Sequence, residues 1–325
     1  MAASIRRVAV LAGGISHERD VSLRSGRRLA DSLQEQGLEV LIRDPDATLL
    51  QWLQDEQPDV VWPALHGASG EDGALLDLLT LIGIPYVGSH PHAARLAWDK
   101  PTAKAVVGRA GIATPESITL PKETFRELGT GSVLAVIKEY LGTELAIKPA
   151  QGGSAQGVSL ITTADALPRA MVDAFTYWDS ALVEERIRGT EISVSILDTG
   201  DGPVALPAVE IVPLSGVYGF EARYNAGQTE FFAPARIDPI VAAKAATMAV
   251  GAHVALGLGY ISRVDIMIDQ HGVPWFLEAN VLPGLTETSM LPLALEAAGH
   301  DLGWVYAALA QSAFSRGAMP SAVVE

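Results

Sequence analysis

Two strongly apolar runs near the C-terminal end, 266–268 and 273–277, are bordered by side chains foreign to a hydrophobic interior: Asp265 before the first, Glu278 and Asn280 after the second. Side chains alternate along a strand, so Glu278 and Asn280 share a face. A hairpin through Gln270-His271-Gly272 would lay Asp265 beside them. A charge projecting from a strand that belongs to the core needs a partner. Three converging oxygen donors have the hard-ligand character that Mg²⁺ prefers, with the other octahedral positions left to water and phosphate oxygens. For any one of the three alone, a solvated strand end is the simpler account. The combination is what points to a metal.

The rest of the chain is long enough to build such an interior. Its 325 residues predict two or three domains, and 49 % hydrophobic against 19 % charged residues predicts folded rather than disordered chain. A net charge of -15 argues against a nucleic-acid or anionic-membrane partner. A nucleotide is still compatible, because it needs only a few local cations and backbone N–H groups. With no cysteine, disulfides, thiolate metal sites and thiol nucleophiles are excluded, which fits a cytoplasmic enzyme. The first apolar run is short and leads straight into a glycine turn, so it reads as a strand rather than a leader. No stretch approaches the roughly 20 apolar residues of a membrane helix.

The opening 90 residues or so alternate strand and helix. A β-rich run at 7–11 ends in Gly13-Gly14, a helical pattern follows to about Gln36 and Gly37, and strands are predicted at 39–42, 60–65 and 86–87 with a helix over 73–82. This is the pattern of a doubly wound parallel sheet. A second unit opens near His92 with helical material, has a boundary at Thr114-Pro115, and holds a strand at 145–148, a glycine-rich loop at 149–157 and a strand at 158–161. That order describes a flap rather than a strand-to-helix nucleotide turn. A third unit carries strands at 192–197, 205–212, 261–268 and 275–277 and an alanine-rich helix over 239–256. The expected domains are 1–91, 92–182 and 183–325.

Other constellations are weaker one by one. Lys100 and Lys148 stand beside element ends, the second directly before the flap, as point cations suited to a phosphate clamp. The loop 281–292 offers Gly284, Ser289 and other donors suited to a carboxylate or a developing oxyanion, although an N-cap before a helix explains the hydroxyls equally well. Glu18 and His66 follow the first and third strands, at the carboxyl edge where open α/β sheets bind ligands.

Taken in order, the motifs GGISHERDVSLRSG (13–26), LHGASGEDG (65–73), WDK (98–100), IKPAQGGSAQGV (147–158), VEE (183–185), YGFEARY (218–224), RVD (263–265) and EANVLPGLTETSMLP (278–292) resemble the D-alanine:D-alanine ligase family of ATP-grasp enzymes. The resemblance runs from about Gly13 to Pro292. It implies a three-domain α/β ATP-grasp fold with an N-terminal doubly wound parallel sheet, and ATP held between the central and C-terminal domains. Lys100 and Lys148 would bind phosphates, Glu184 and Ile187 would lie at the adenine, Glu191 at the ribose, and Arg223 would also bind ATP. Asp265, Glu278 and Asn280 would hold two Mg²⁺ or Mn²⁺ ions. Glu18 would meet the ammonium of the first D-alanine and be linked through Ser154 to Tyr224, with His66 nearby. Arg263 and the Gly284 N–H would form the oxyanion site, and Ser289 with Met290 would receive the second carboxylate. The implied activity is ligation of two D-alanines through a D-alanyl phosphate, for peptidoglycan precursor synthesis, in a homodimer with no nucleic-acid or membrane partner.

The chain departs from the family pattern in places. The flap reads GGSAQGV where EGSSVGV is usual, which removes a side chain at Gly152 and at Ala155. YGFEARY stands for YDYEAKY, VEE for VEK and EANV for EVNT. No metal ligand or triad member is lost. The competing expectations are a ligase that joins D-alanine to D-serine, D-lactate or another amino acid, and a nucleotide-binding homologue without catalysis. Tyr224 favours an amine nucleophile, because D-lactate ligases of the family lack this tyrosine.

Overall fold

The structure is a computed structural model in which residues 4–225 and 227–318 are described. The first sheet is built from β1 (Arg7–Leu11), α1 (Arg19–Glu35), β2 (Glu39–Arg43), α2 (Leu49–Glu56) and β3 (Val60–Pro63), followed by α3 (Ala68–Glu71) and α4 (Ala74–Leu81). Its strands are parallel in the order β2-β1-β3, and Tyr86 adds a further parallel bridge to Val61. β3 is buried throughout and β1 nearly so, as strands covered on both faces must be. α1 packs Leu29, Ala30 and Leu33 inward and stops where Gly37 takes a φ of 81°.

The middle of the chain comprises α5 (Pro91–Trp98), α6 (Lys100–Arg109), β4 (Ser117–Pro121), α7 (Lys122–Leu128), α8 (Thr130–Leu141), β5 (Leu145–Pro149), β6 (Ser159–Ile161), α9 (Leu167–Phe175) and β7 (Ser180–Glu185). The four strands form an antiparallel sheet in the order β4-β7-β5-β6, covered by α9 through Leu167, Ala170, Met171 and Ala174. β5 and β6 flank the glycine-rich loop as a strand, loop, strand flap. The expected boundary after residue 182 falls inside β7, which pairs with β4 and β5 as far as Glu185, so the hydrogen-bond ladder keeps 183–185 in this sheet.

The remaining elements are β8 (Gly189–Leu197), β9 (Val204–Ala205), β10 (Val209–Pro213), α10 (Phe220–Tyr224), β11 (Thr229–Phe232), α11 (Pro239–Ala255), β12 (Ile261–Asp269), β13 (Pro274–Asn280), α12 (Met290–Ala297) and α13 (Leu302–Arg316). They give an antiparallel sheet in the order β11-β10-β8-β12-β13, with β9 against β8. The strand expected over 205–212 is two strands. Pro207 between them has no N–H for the ladder, and the chain breaks there.

Two packings cross the expected domain limits. α5 and α6 share a core with the third sheet, where Ala94, Ala97, Ala103 and Val107 meet Val194, Val264, Ile266, Phe276 and Ala249. α13 lies on the first sheet: Tyr306 packs edge-on to Trp62 at 5.5 Å between ring centroids, among Val8, Val10, Leu29 and Leu309.

Candidate active site

β12 and β13 form the hairpin expected through Gly272, which turns with a φ of 73°. The register pairs Asp265 with Glu278 and Arg263 with Asn280, so these four side chains stand together on one face. A bulge after Asp265 moves the pairing from 265/278 to 266/276, and Leu277 and Glu278 consequently both line the same cavity.

The charges on this face are matched locally. Arg263 donates to both oxygens of Asp265, at 2.9 and 2.8 Å, and the Ser193 hydroxyl from β8 donates to Oδ1 at 2.9 Å. Burial works against the Arg263 cation, but Asp265 and Glu278 outweigh it and raise its pKa. Burial likewise opposes the Glu278 carboxylate, yet Lys100, 3.3 Å away, and Lys148, with Arg223 and Arg263, hold it at about 2. Asn280 Oδ1 accepts the Leu282 N–H at 3.0 Å. Among the described residues no three His, Cys, Asp or Glu side chains group to hold a metal. The donor set here is two carboxylates and an amide, all oxygen, which fits Mg²⁺ or Mn²⁺ provided phosphate and water complete the shell.

This face floors a cavity of about 560 Å³ enclosed by the flap, the 186–188 segment that links β7 of one sheet to β8 of the other, and β10. Lys100 is the first residue of α6, which Asp99 caps by accepting the Thr102 N–H at 3.0 Å, and the Lys100 ammonium donates to the Gly152 carbonyl of the flap at 2.6 Å. Lys148 pairs with Glu184 across neighbouring strands, and Ile187 and Glu191 line the same space. Burial, reinforced by Asp265 and Glu278, pushes the Glu191 carboxyl up to about 7 against the pull of Arg223. The Arg223 guanidinium lies 4.2 Å from the Tyr218 ring centroid, and both residues line this cavity and a second one of about 220 Å³.

Into the second cavity project Glu18, His66, Arg263, Gly284, Ser289 and Met290. Glu18 is the N-cap of α1, and Ser154 of the flap, in the left-handed region with a φ of 53°, donates its hydroxyl proton to it. Two glycines allow this approach. A Cβ at Gly67, whose φ is 71°, would meet Glu18 Oε2 at 2.4 Å, and one at Gly153 would come within 3.0 Å. His66 is buried against the Ser25 hydroxyl, 2.9 Å from Nε2, and burial lowers its pKa, which favours the neutral imidazole. Ser289 is the N-cap of α12 and Met290 its first residue, so the hydroxyl and the Met290 N–H stand at a helix start. A Cβ on Gly284 would meet the Ser289 hydroxyl at 2.6 Å. Tyr224 ends α10, and its side chain lies outside the described residues.

Three residues that sequence reasoning missed complete the site. Ser193 is a small hydroxyl without a sequence signal, and Ser25 is one that lies within the quoted motif 13–26. Glu71 lies within a quoted motif: it is buried, accepts the Gly67 N–H at 2.9 Å, and is pushed up to about 8 by burial and then by the charge of Glu18. An acid whose folded pKa exceeds its unfolded one stabilises most below the unfolded value, and that stability is lost as pH rises toward about 8. Glu71→Gln keeps the acceptor for Gly67 and removes the ionisation. Its stability relative to the wild type is therefore expected to improve between about pH 5 and pH 8, by at most about 1.4 kcal/mol per pH unit. Urea unfolding at several pH values checks this, and a gap independent of pH would refute it.

A cation-rich cavity under a glycine flap, joined through Arg263 and Asp265 to a smaller cavity with a carboxylate at one end and a helix start at the other, on two antiparallel sheets, is the arrangement of an ATP-grasp ligase. The comparisons narrow this class. The family model described as D-ala D-ala ligase C-terminus matches residues 106–311, and that described as D-ala D-ala ligase N-terminus matches 44–89. The chain is 38 % identical over 287 residues to the D-alanine–D-alanine ligase of Anaeromyxobacter dehalogenans, covering 88 % of this chain and 90 % of that protein. It is 37 % identical over 317 residues to that of Bordetella petrii, covering 98 % and 94 %. Among solved structures, D-alanine–D-alanine ligase from Bacillus anthracis complexed with ATP superposes with a TM-score of 0.79 at 26 % identity over 96 % of this chain and 97 % of that one. The VanG D-Ala:D-Ser ligase from Enterococcus faecalis gives 0.80 at 27 % over 94 % and 98 %. The chain belongs to the D-alanine–D-alanine ligase family.

Proposed function

We propose that the chain joins two D-alanines at the expense of ATP, releasing D-alanyl-D-alanine, ADP and phosphate, and so supplies a peptidoglycan precursor. The observation that carries this reading is the junction of the two cavities: Arg263 borders the smaller, Asp265 the larger, and the two side chains are hydrogen-bonded to each other. ATP occupies the larger cavity, with adenine near Glu184 and Ile187, ribose near Glu191, and phosphates toward Lys100, Lys148 and Arg223. Asp265, Glu278 and Asn280 would hold two Mg²⁺ or Mn²⁺ ions, which spread the charge of the transferring phosphoryl group when bound.

The first D-alanine places its ammonium at Glu18 and its carboxylate at the junction. A carboxylate oxygen attacks the γ-phosphorus, the bond to the bridging oxygen breaks, and ADP leaves with an acyl phosphate formed. The second D-alanine, its carboxylate at Ser289 and the Met290 N–H, attacks the acyl carbon through its deprotonated amine. Arg263 and the Gly284 N–H stabilise the oxyanion, and phosphate departs. The Ser154–Glu18 contact holds the flap over both cavities and keeps water from the acyl phosphate. Among the described residues no helix is long and apolar enough to cross a membrane. As the family resemblance implies, the proposed enzyme acts in the cytoplasm as a homodimer.

The likeness to a D-Ala:D-Ser ligase keeps a second reading in view, in which D-serine is the preferred second substrate. Phosphate release from ATP and Mg²⁺, with D-alanine alone and with D-serine or D-lactate added, and the mass of the product, separates the two. D-alanyl-D-alanine is expected. A preference for the D-serine or D-lactate product would replace the first reading, and no D-alanine-dependent phosphate release would end both.

A further inference from the structure

Helix α6 carries two lysines four residues apart, hence on one face. Lys100 reaches the larger cavity. Lys104 does not line it, and is 4 % exposed. Its ammonium donates to Glu184 Oε2 at 2.7 Å and to the Pro115 carbonyl at 2.8 Å. Glu184, 1 % exposed, thus has one cation on each oxygen: Lys104 on Oε2 and Lys148 on Oε1.

This matters for Lys148, the one of the two that faces the cavity. A buried carboxylate with a single ammonium partner cancels that partner's charge. Within this trio two ammoniums against one carboxylate leave one positive charge over, and it falls on Lys148, which also feels Glu278 and Glu191 across the cavity while Glu278 is itself paired with Lys100. We propose that Lys104 is a positioning residue for nucleotide binding, which occupies Glu184 Oε2 and thereby leaves Lys148 a net charge for the phosphates. The inference rests on the assignment of Lys148 to phosphate under Proposed function. A merely structural ion pair, tying α6 to β7 and to Pro115, makes a different demand: its loss would weaken every ligand of the cavity alike.

The test compares the affinities of ADP and of adenosine, both measured with Mg²⁺ on the full chain. Lys104→Met is expected to weaken ADP about tenfold or more and adenosine by less than about threefold. Lys104→Arg, which keeps the charge, is expected to restore the wild-type ratio. Equal losses for both ligands, or failure of the arginine to restore the ratio, would overturn the proposal. Should Lys104→Met not fold, the double variant Lys104→Met with Glu184→Gln, which buries no unmatched charge at this pair, is compared with Glu184→Gln alone. Equal ADP-to-adenosine ratios support the proposal, and a further selective loss of ADP in the double variant overturns it. Lys148→Met is the control: an unchanged ratio there sinks the phosphate assignment itself, whereas a lowered ratio with Lys104→Met unaffected sinks only the present inference.

Discussion

Asp265→Asn is expected to lower the rate of dipeptide formation by about two to three orders of magnitude and to move its magnesium dependence to higher concentration. The substitution is nearly isosteric, and the amide oxygen still accepts from Ser193, so the fold around β8 and β12 has little reason to change. What is lost is charge at the junction of the two cavities. A neutral amide is a poorer ligand for a hard divalent ion than a carboxylate, and Arg263 loses the partner that fixes both its donors. Initial rates over a magnesium titration measure both effects. A rate within about threefold of the wild type would remove Asp265 from the metal site.

Arg263→Lys should also cost about a hundredfold in turnover, but with the magnesium dependence and the KM for ATP nearly unchanged. The guanidinium presents a planar fork that grips both Asp265 oxygens while keeping donors for a developing oxyanion, whereas an ammonium is a point charge on a flexible stem. The two substitutions are neighbours on one strand, yet they separate the roles. One moves the titration curve, the other lowers its plateau. Full turnover in Arg263→Lys would show that the oxyanion is stabilised elsewhere.

The hairpin proposed to hold the metal ions was legible because three oxygen-bearing residues interrupt apolar strands around a Gly272 turn, and β12–β13 pairing places Asp265 opposite Glu278. The flap was legible because glycines separate two strand-like runs, and β5 pairs with β6. The stretch 117–141 was not, for a physical reason. α7 buries no residue and α8 only Val133 and Ile137, so neither imprints a strong period on the sequence. Glu71 and Lys104 escaped notice because an acid or a lysine in a string of letters carries no sign of its burial. Glu71 depends on Glu18 arriving from another loop, and Lys104 on β7 approaching α6. The role of Tyr224 rests on the motif alone.

The packing of α13 against the first sheet bears on how the chain is made. The Ile5 N–H donates to the Gln311 side chain across 306 positions, and Trp62 is closed over by Tyr306. A nascent chain emerging from the ribosome has β1, β2 and β3 in hand long before α13 exists, and Trp62, Val8 and Val10 then lack part of their cover. The sheet β1–β3 is therefore made before α13 but finished only after it, and until then part of its apolar face stays uncovered.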